Sequence, residues 1–339
     1  VRRTLFVLLR LGIGIGLLVY LVESKVVDPR VFARLISSWP ISVLAIALLL
    51  VDVVLMAWRL CCLFRARGMP LAFVSSFELT ALSSFFASFL PGRAGGDVAK
   101  VFYASRENSG RRTEIVTILL FDRALGLFSL LLLPLLLAPF FPGLLRVVAV
   151  RISLLTVALL AIAMFAAFLV CLFSPALVDR LMGGPLRRLP GRELVLRSLG
   201  TVAAYRGSPW ILAGALGISL ADNLMAIGTL ALGLLVVSPA SLEAKLLVMV
   251  PMGEIVNSLP LTPGGLGVGE TAFNAFFSIA GLRGGAEALL CWRVWNALTG
   301  LLGLFFYLRG IRVRVIDPVS SDSAPSDSAP SISAPGPQA

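Results

Sequence analysis

Residues 88–97 read Ser-Phe-Leu-Pro-Gly-Arg-Ala-Gly-Gly-Asp, and residues 257–270 read Asn-Ser-Leu-Pro-Leu-Thr-Pro-Gly-Gly-Leu-Gly-Val-Gly-Glu. In both, a proline is followed four and five residues later by paired glycines, Gly95 and Gly96 after Pro91, Gly264 and Gly265 after Pro260. A carboxylate closes each copy, Asp97 in the first and Glu270 in the second. Proline removes a backbone donor and glycine loosens the chain, so each copy is predicted to break one helix into two halves. The surrounding sequence is apolar, and interrupted helices at membrane depth are where membrane proteins line their binding sites.

Composition agrees with a bilayer setting. Of 339 residues, 58% are hydrophobic and only 14% charged, too few to give a soluble core of this size a polar shell. Several apolar runs reach the roughly 20 residues needed to cross a hydrocarbon core. The formal net charge of +11 comes almost entirely from arginine. In a membrane protein this excess reports topology and anionic headgroups, so it is not read as nucleic-acid binding. There is no histidine, which excludes imidazole general-base chemistry, Ser-His-Asp triads and His-ligated metals. Cys61, Cys62, Cys171 and Cys291 lack the paired spacing of a zinc or redox site, so they are expected to pack as small apolar residues. No cofactor and no metal is expected.

The predicted architecture is an all-α polytopic membrane protein with six full spans and two re-entrant broken-helix hairpins, arranged as two inverted-topology repeats. The full spans are expected at about Leu5 to Val22, Ile41 to Trp58, Glu114 to Leu137, Leu154 to Phe173, Trp210 to Val237 and Ala288 to Leu308. No small-residue cleavage site follows the first run, which is therefore expected to be retained. The segment Leu71 to Tyr103 has basic flanks, Arg59, Arg65 and Arg67 before it and Arg106, Arg111 and Arg112 after it, with Lys100 close to its end. Cytoplasmic loops collect Lys and Arg, so this segment should enter and leave on one face. Leu246 to Ile279 is its expected counterpart, opening to the other face, and both termini are expected in the cytoplasm. The transmembrane domain is assigned to 1–316, with repeat A at about 1–140 and repeat B at about 150–314. Residues 317–339 alternate Ser, Ala, Pro and Asp, a composition that buries no core.

The repetition extends beyond the breaks. Asp52 lies 39 residues before Pro91 and Asp222 lies 38 before Pro260, while Arg123 lies 32 after Pro91 and Arg293 lies 33 after Pro260. A charged side chain inside a span costs about 2.5 to 3.5 kcal/mol on insertion scales, so these residues should face the protein interior and find partners. Asp122 and Arg123 are neighbours that point about 100° apart on a helix, and each needs a partner on another helix. Two readings stand side by side. In one, interhelical salt bridges fix the bundle. In the other, Arg123 and Arg293 contact a headgroup phosphate, the amides around Gly95, Gly96, Gly264 and Gly265 approach it closely, and Asp52 and Asp222 balance charge or carry a proton. The glycine pairs also suit tight turns or close helix packing. Asp97 and Glu270 join the charge-balancing set, with helix capping as their leading role.

At these positions the chain resembles the transmembrane domain of lysylphosphatidylglycerol synthases and related free-standing flippase-like membrane proteins. The matching pieces are Trp58-Arg59, Phe89-Leu90-Pro91 through Gly95-Gly96-Asp97, Asp122-Arg123 with Gly126-Leu127, Pro260 through Gly264-Gly265-Leu266-Gly267 with Glu270, and Arg293. The resemblance covers about Leu5 to Arg314. It implies a bacterial inner-membrane protein that moves a phospholipid, aminoacyl-phospholipid or glycolipid between leaflets. No synthase domain follows in these residues, so the resemblance implies lipid handling without synthesis. The expected partners are membrane lipids with an anionic or zwitterionic headgroup. The alternative is a non-transporting anchor for a lipid-modifying enzyme or glycosyltransferase, acting through the basic segment Pro175 to Arg206. An enzymatic role is not expected, because without histidine it would need carboxylates alone and none are spaced for acid–base work.

Overall fold

Helices fill the apolar stretches that Pro, Gly and Arg delimit. The computed structural model describes residues 29–89, 94–106, 108–173, 204–259 and 267–310. The predicted first span, Pro91, the Pro260 to Gly265 break, nearly all of the Pro175 to Arg206 segment and the Ser/Ala/Pro tail lie outside the described residues. The helices are α1 Pro29–Ser37, α2 Trp39–Ala66, α3 Phe73–Phe89, α4 Ala94–Arg106 and α5 Arg112–Leu137. They continue as α6 Val148–Phe173, α7 Pro209–Val237, α8 Leu246–Asn257, α9 Val268–Ile279 and α10 Gly285–Arg309. Five of them, α2, α5, α6, α7 and α10, are long and apolar enough to cross a membrane. They correspond to the second through sixth predicted spans.

Local sequence accounts for the boundaries. Pro40 and Pro209 sit in the first positions of α2 and α7, where a missing N–H costs nothing. Beyond α10 the chain turns through Gly310 at φ +85°, a conformation that favours glycine. On either side of the first Pro/Gly stretch, α3 ends at Phe89 and α4 begins at Ala94. Around the second, α8 ends at Asn257 and α9 begins at Val268. Within each pair the two helices pack on each other.

One boundary moves further than fraying explains. The sequence places Arg59 at the edge of the second span, but α2 runs on to Ala66 and Arg59 is 1% exposed, in the interior. The reason is packing: beyond Trp58 the helix still buries Leu60, Leu63 and Phe64, and the guanidinium finds a carboxylate inside.

Small residues set the closest approaches. A Cβ on Gly303 of α10 would collide with the Ala81 carbonyl of α3, so these two helices cross nearly backbone to backbone. Likewise Gly233 of α7 sits against Ala288 of α10. Around these contacts α2 packs along α7, and α5 packs against α6, α7 and α8. The helix α6 rests chiefly on α5 and turns Ile152, Leu155, Leu159 and Ile162 outward, as a lipid-facing helix does. This arrangement leaves a polar space between α2, α3, α4, α5, α7, α8 and α10.

Candidate functional site

That space is a cavity of about 230 Å³. It is lined by side chains a bilayer would otherwise reject: Asp52 and Arg59 from α2, Asp97 and Lys100 from α4, Asp122 and Arg123 from α5, Asp222 and Asn223 from α7, and Glu254 from α8. The helix α3 adds a stripe of hydroxyls, Thr80, Ser83 and Ser84, at one-turn spacing. Trp292 and Asn296 of α10 complete the wall.

Asp122 is the centre of the charge network. Its Oδ1 accepts a hydrogen bond from Arg59 Nε at 2.7 Å, and its Oδ2 lies 3.8 Å from Lys100 Nζ. All three residues are at least 95% buried. Arg59 also donates to Ser219 Oγ at 2.7 Å, whose hydroxyl donates in turn to the Ala215 carbonyl. Asp52 and Asp222 attract the same guanidinium from α2 and α7. Next to Asp122, Arg123 turns to Asp97 instead, with Nε 3.5 Å from Oδ2 and both side chains about two-fifths exposed. Asp122 and Arg123 thus find separate partners on other helices, as their angular separation requires.

The second break carries a matching pair outside the cavity lining. Arg293 Nε lies 2.8 Å from Glu270 Oε1, off the N–H axis, so the contact is ionic more than a well-aligned hydrogen bond. Its Nη2 donates to Asn257 Oδ1 at 3.3 Å. Glu270 also caps α9, accepting the Gly267 N–H at 2.7 Å with its other oxygen. The capping expectation therefore holds for Glu270. For Asp97 the described contact is with Arg123.

Of the glycines singled out in the sequence, Gly264 and Gly265 lie outside the described residues, and Gly95 sits in the first turn of α4. Gly96 faces α3, where a Cβ would collide with the Ser83 carbonyl and crowd Ala87. It serves close helix packing, and Ser83 fills the space a phosphate would need at its α carbon. The cavity thus brings together Asp52, Asp97, Arg123 and Asp222 and excludes Arg293 and Glu270.

Further residues line the site, among them Arg59, Lys100 and Thr80. Arg59 and Lys100 read as flanking cytoplasmic charges in the sequence, and Thr80 as one of many small polar residues. Spacing held a clue for the first two. Arg59 follows Asp52 by two helical turns, and Lys100 follows Asp97 by three residues, so each falls on the same face as an acid already suspected.

Comparison with known proteins adds one match. The family model described as the lysylphosphatidylglycerol synthase TM region matches residues 7–313. No curated protein and no solved structure matches the chain.

Proposed function

The chain belongs to the lysylphosphatidylglycerol synthase transmembrane-region family, and from that premise we propose that it carries a lipid between membrane leaflets, passing the headgroup through the polar cavity while the acyl tails remain in the bilayer. The observation that carries this reading is the cavity itself: a charged, hydroxyl-lined space inside a bundle of membrane-spanning helices. Structural salt bridges alone would close such a space, because unfilled polar volume in a bundle forfeits both packing and solvation.

The charge balance constrains the cargo. Among the described residues, the cavity is lined by five carboxylates and three cations, and each of these cations faces a carboxylate: Arg59 and Lys100 at Asp122, Arg123 at Asp97. A purely anionic headgroup would deepen the imbalance. We infer a headgroup that brings a positive or donor-rich group together with its phosphate, the phosphate near Lys100 and Arg123 and the positive group near Asp52 and Asp222.

The proposed movement is a rocking of two inverted repeats, each containing one re-entrant hairpin, α3–α4 and α8–α9. Recurrence of one interaction supports the repeats: the acid just after each break pairs with the arginine of the following long helix, Asp97 with Arg123 and Glu270 with Arg293. We place the protein in the bacterial inner membrane with both termini in the cytoplasm.

The test is leaflet exchange of fluorescent phosphatidylethanolamine in vesicles reconstituted with purified protein. Wild type exchanges the probe faster than protein-free vesicles. Ser84→Trp, which fills the cavity, and Arg123→Gln, which removes a lining charge, slow the exchange. Exchange equal to that of protein-free vesicles for every headgroup offered would sink the reading.

A further inference from the structure

A threonine inside a helix has a ready outlet for its hydroxyl proton, the carbonyl one turn back. Thr117, Thr156, Thr229, Thr271 and Thr299 all take it, each donating to the carbonyl four residues earlier at 2.7 to 3.1 Å. Thr80 of α3 does not. It is 2% exposed and lines the cavity, and its hydroxyl oxygen has no hydrogen-bond partner among the described residues. A buried hydroxyl in that condition has given up its bonds to water and received nothing in exchange.

A cation with unused donors stands on the neighbouring helix. Lys100 of α4 is 5% exposed and lines the same cavity. Its Nζ lies 3.8 Å from Asp122 Oδ2, close enough for charge attraction but beyond hydrogen-bond length, and the ammonium makes no hydrogen bond among the described residues. The other oxygen of Asp122 is taken by Arg59 at 2.7 Å. Hairpin geometry brings Thr80 and Lys100 to one level. The helices α3 and α4 follow each other closely and pack as an antiparallel pair, with Gly96 against Ser83. One turn on from Gly96 along α4 is Lys100, and one turn back from Ser83 along α3 is Thr80. Ser83 itself is buried on the cavity wall between that level and Gly96.

We propose that Thr80, Ser83 and Lys100 form an oxyanion seat between the two arms of the first hairpin, and that its ligand is the phosphate of a lipid headgroup. This rests on the translocation reading above and narrows it to one chemical group and one place. Lys100 supplies a positive charge and three N–H donors, and Thr80 and Ser83 supply a hydroxyl each. A tetrahedral phosphate, with oxygens pointing in several directions, accepts from donors on two helices at once. A threonine on a helix exchanges between two χ1 rotamers, so the Thr80 hydroxyl turns to the ligand without a change of backbone.

Asp122 does not fill this role itself. It faces Lys100 at ion-pair distance only and accepts from no hydroxyl of α3 among the described residues. Nor does the seat depend on the glycine pair, since at Gly96 the room for a phosphate is occupied by Ser83. A neutral lipid without phosphate would leave the donors of Lys100 idle in a poorly solvating interior, so the seat selects for the charged group. Free phosphate carries the same oxygens, and the two sources are separated by whether acyl tails are needed.

The test is calorimetric titration of the full chain in detergent with dihexanoyl-phosphatidylethanolamine, with dihexanoylglycerol, which has the tails without the phosphate, and with inorganic phosphate. Wild type is expected to bind the phosphatidylethanolamine about tenfold or more tighter than dihexanoylglycerol. Thr80→Val keeps the shape of the side chain and removes the hydroxyl. It is expected to weaken phosphatidylethanolamine binding about tenfold, yet to raise the melting temperature of the ligand-free protein by about 2 °C, because an unpaired buried hydroxyl is gone. Thr80→Ser retains the hydroxyl and should stay within about threefold of wild type. Thr156→Val, on the lipid-facing helix α6, is expected to leave binding unchanged. Unchanged affinity in Thr80→Val overturns the proposal, as does a lower melting temperature with no loss of binding, the mark of a purely structural hydroxyl. Should the variant fail to fold, dihexanoylglycerol binding wild type as tightly as the phosphatidylethanolamine overturns it equally. Inorganic phosphate binding without any binding of the phospholipid overturns the lipid as the source of the oxyanion. Thr80-dependent lipid binding without leaflet exchange in vesicles refutes translocation and leaves the seat standing, so the two failures are distinguishable.

Discussion

Replacing Asp122 with Asn is the sharpest test of the buried network. The side chain is 6% exposed and serves two cations, Arg59 Nε at 2.7 Å and Lys100 Nζ at 3.8 Å, both themselves buried. Removing one partner of a buried ion pair costs about 3 to 5 kcal/mol, because the remaining charge is left without compensation in a poorly solvating interior. Here Arg59 keeps its bond to Ser219 and the attraction of Asp52 and Asp222. Lys100 loses its ion pair and gains no replacement. The loss should therefore fall near the lower end, about 3 kcal/mol. For a chain of this length that corresponds to a fall in melting temperature of about 6 °C, at roughly 2 °C per kcal/mol. The assay is thermal unfolding of purified protein at fixed detergent and pH, followed by the monodisperse fraction on size exclusion. A triple variant, Arg59→Met with Asp122→Leu and Lys100→Met, should recover most of the loss, since apolar residues of similar volume replace buried ions at little net cost. A fall below about 2 °C for Asp122→Asn would refute the claim that this carboxylate holds α2, α4 and α5 together.

Two further outcomes follow from the packing. Gly303→Ala, whose new methyl would meet the Ala81 carbonyl, should destabilise the protein by about 1 to 3 kcal/mol in the same assay. Gly214→Ala, with open space around it, should not. Tyr205, on the short turn before α7, donates its hydroxyl to the Leu63 carbonyl at 3.0 Å and stacks on Phe121 at 4.8 Å between ring centroids. Burial holds its phenol above the ordinary range near 10, against the opposing pull of Arg67. Since the unfolded chain ionises first, Tyr205 contributes stability below pH about 10 that is lost as pH rises toward its folded value. Thermal unfolding across alkaline pH should show this decline, and Tyr205→Phe should lessen it.

Much of the architecture is written in one dimension. Length and apolarity locate the five long helices Trp39–Ala66, Arg112–Leu137, Val148–Phe173, Pro209–Val237 and Gly285–Arg309, though not all of their ends, because a helix that satisfies its own backbone is the solution available to a long apolar run in lipid. Pro and Gly predict breaks between α3 and α4 and between α8 and α9, since neither residue sustains a helix, and the described helices end at Phe89 and Asn257. The mid-span acids and arginines could be singled out because a bilayer tolerates them only with partners.

Which partners they take was not legible. Arg123 and Arg293 occupy similar places in the sequence pattern, yet one lines the cavity and the other lies outside its lining, tied to Glu270 and Asn257. Arg59 looked like a cytoplasmic flank until α2 carried it inward to meet Asp122, 63 residues away. Gly96 looked like a phosphate cradle until α3 packed Ser83 against it. The sequence by itself determined that the chain crosses a membrane, where its helices break and which charges must find company, because those are consequences of local hydropathy and backbone chemistry. Only the tertiary structure decided which cation each of Asp97, Asp122 and Glu270 faces and which of the charges line the cavity, because pairing depends on distances between helices that no spacing along the chain encodes.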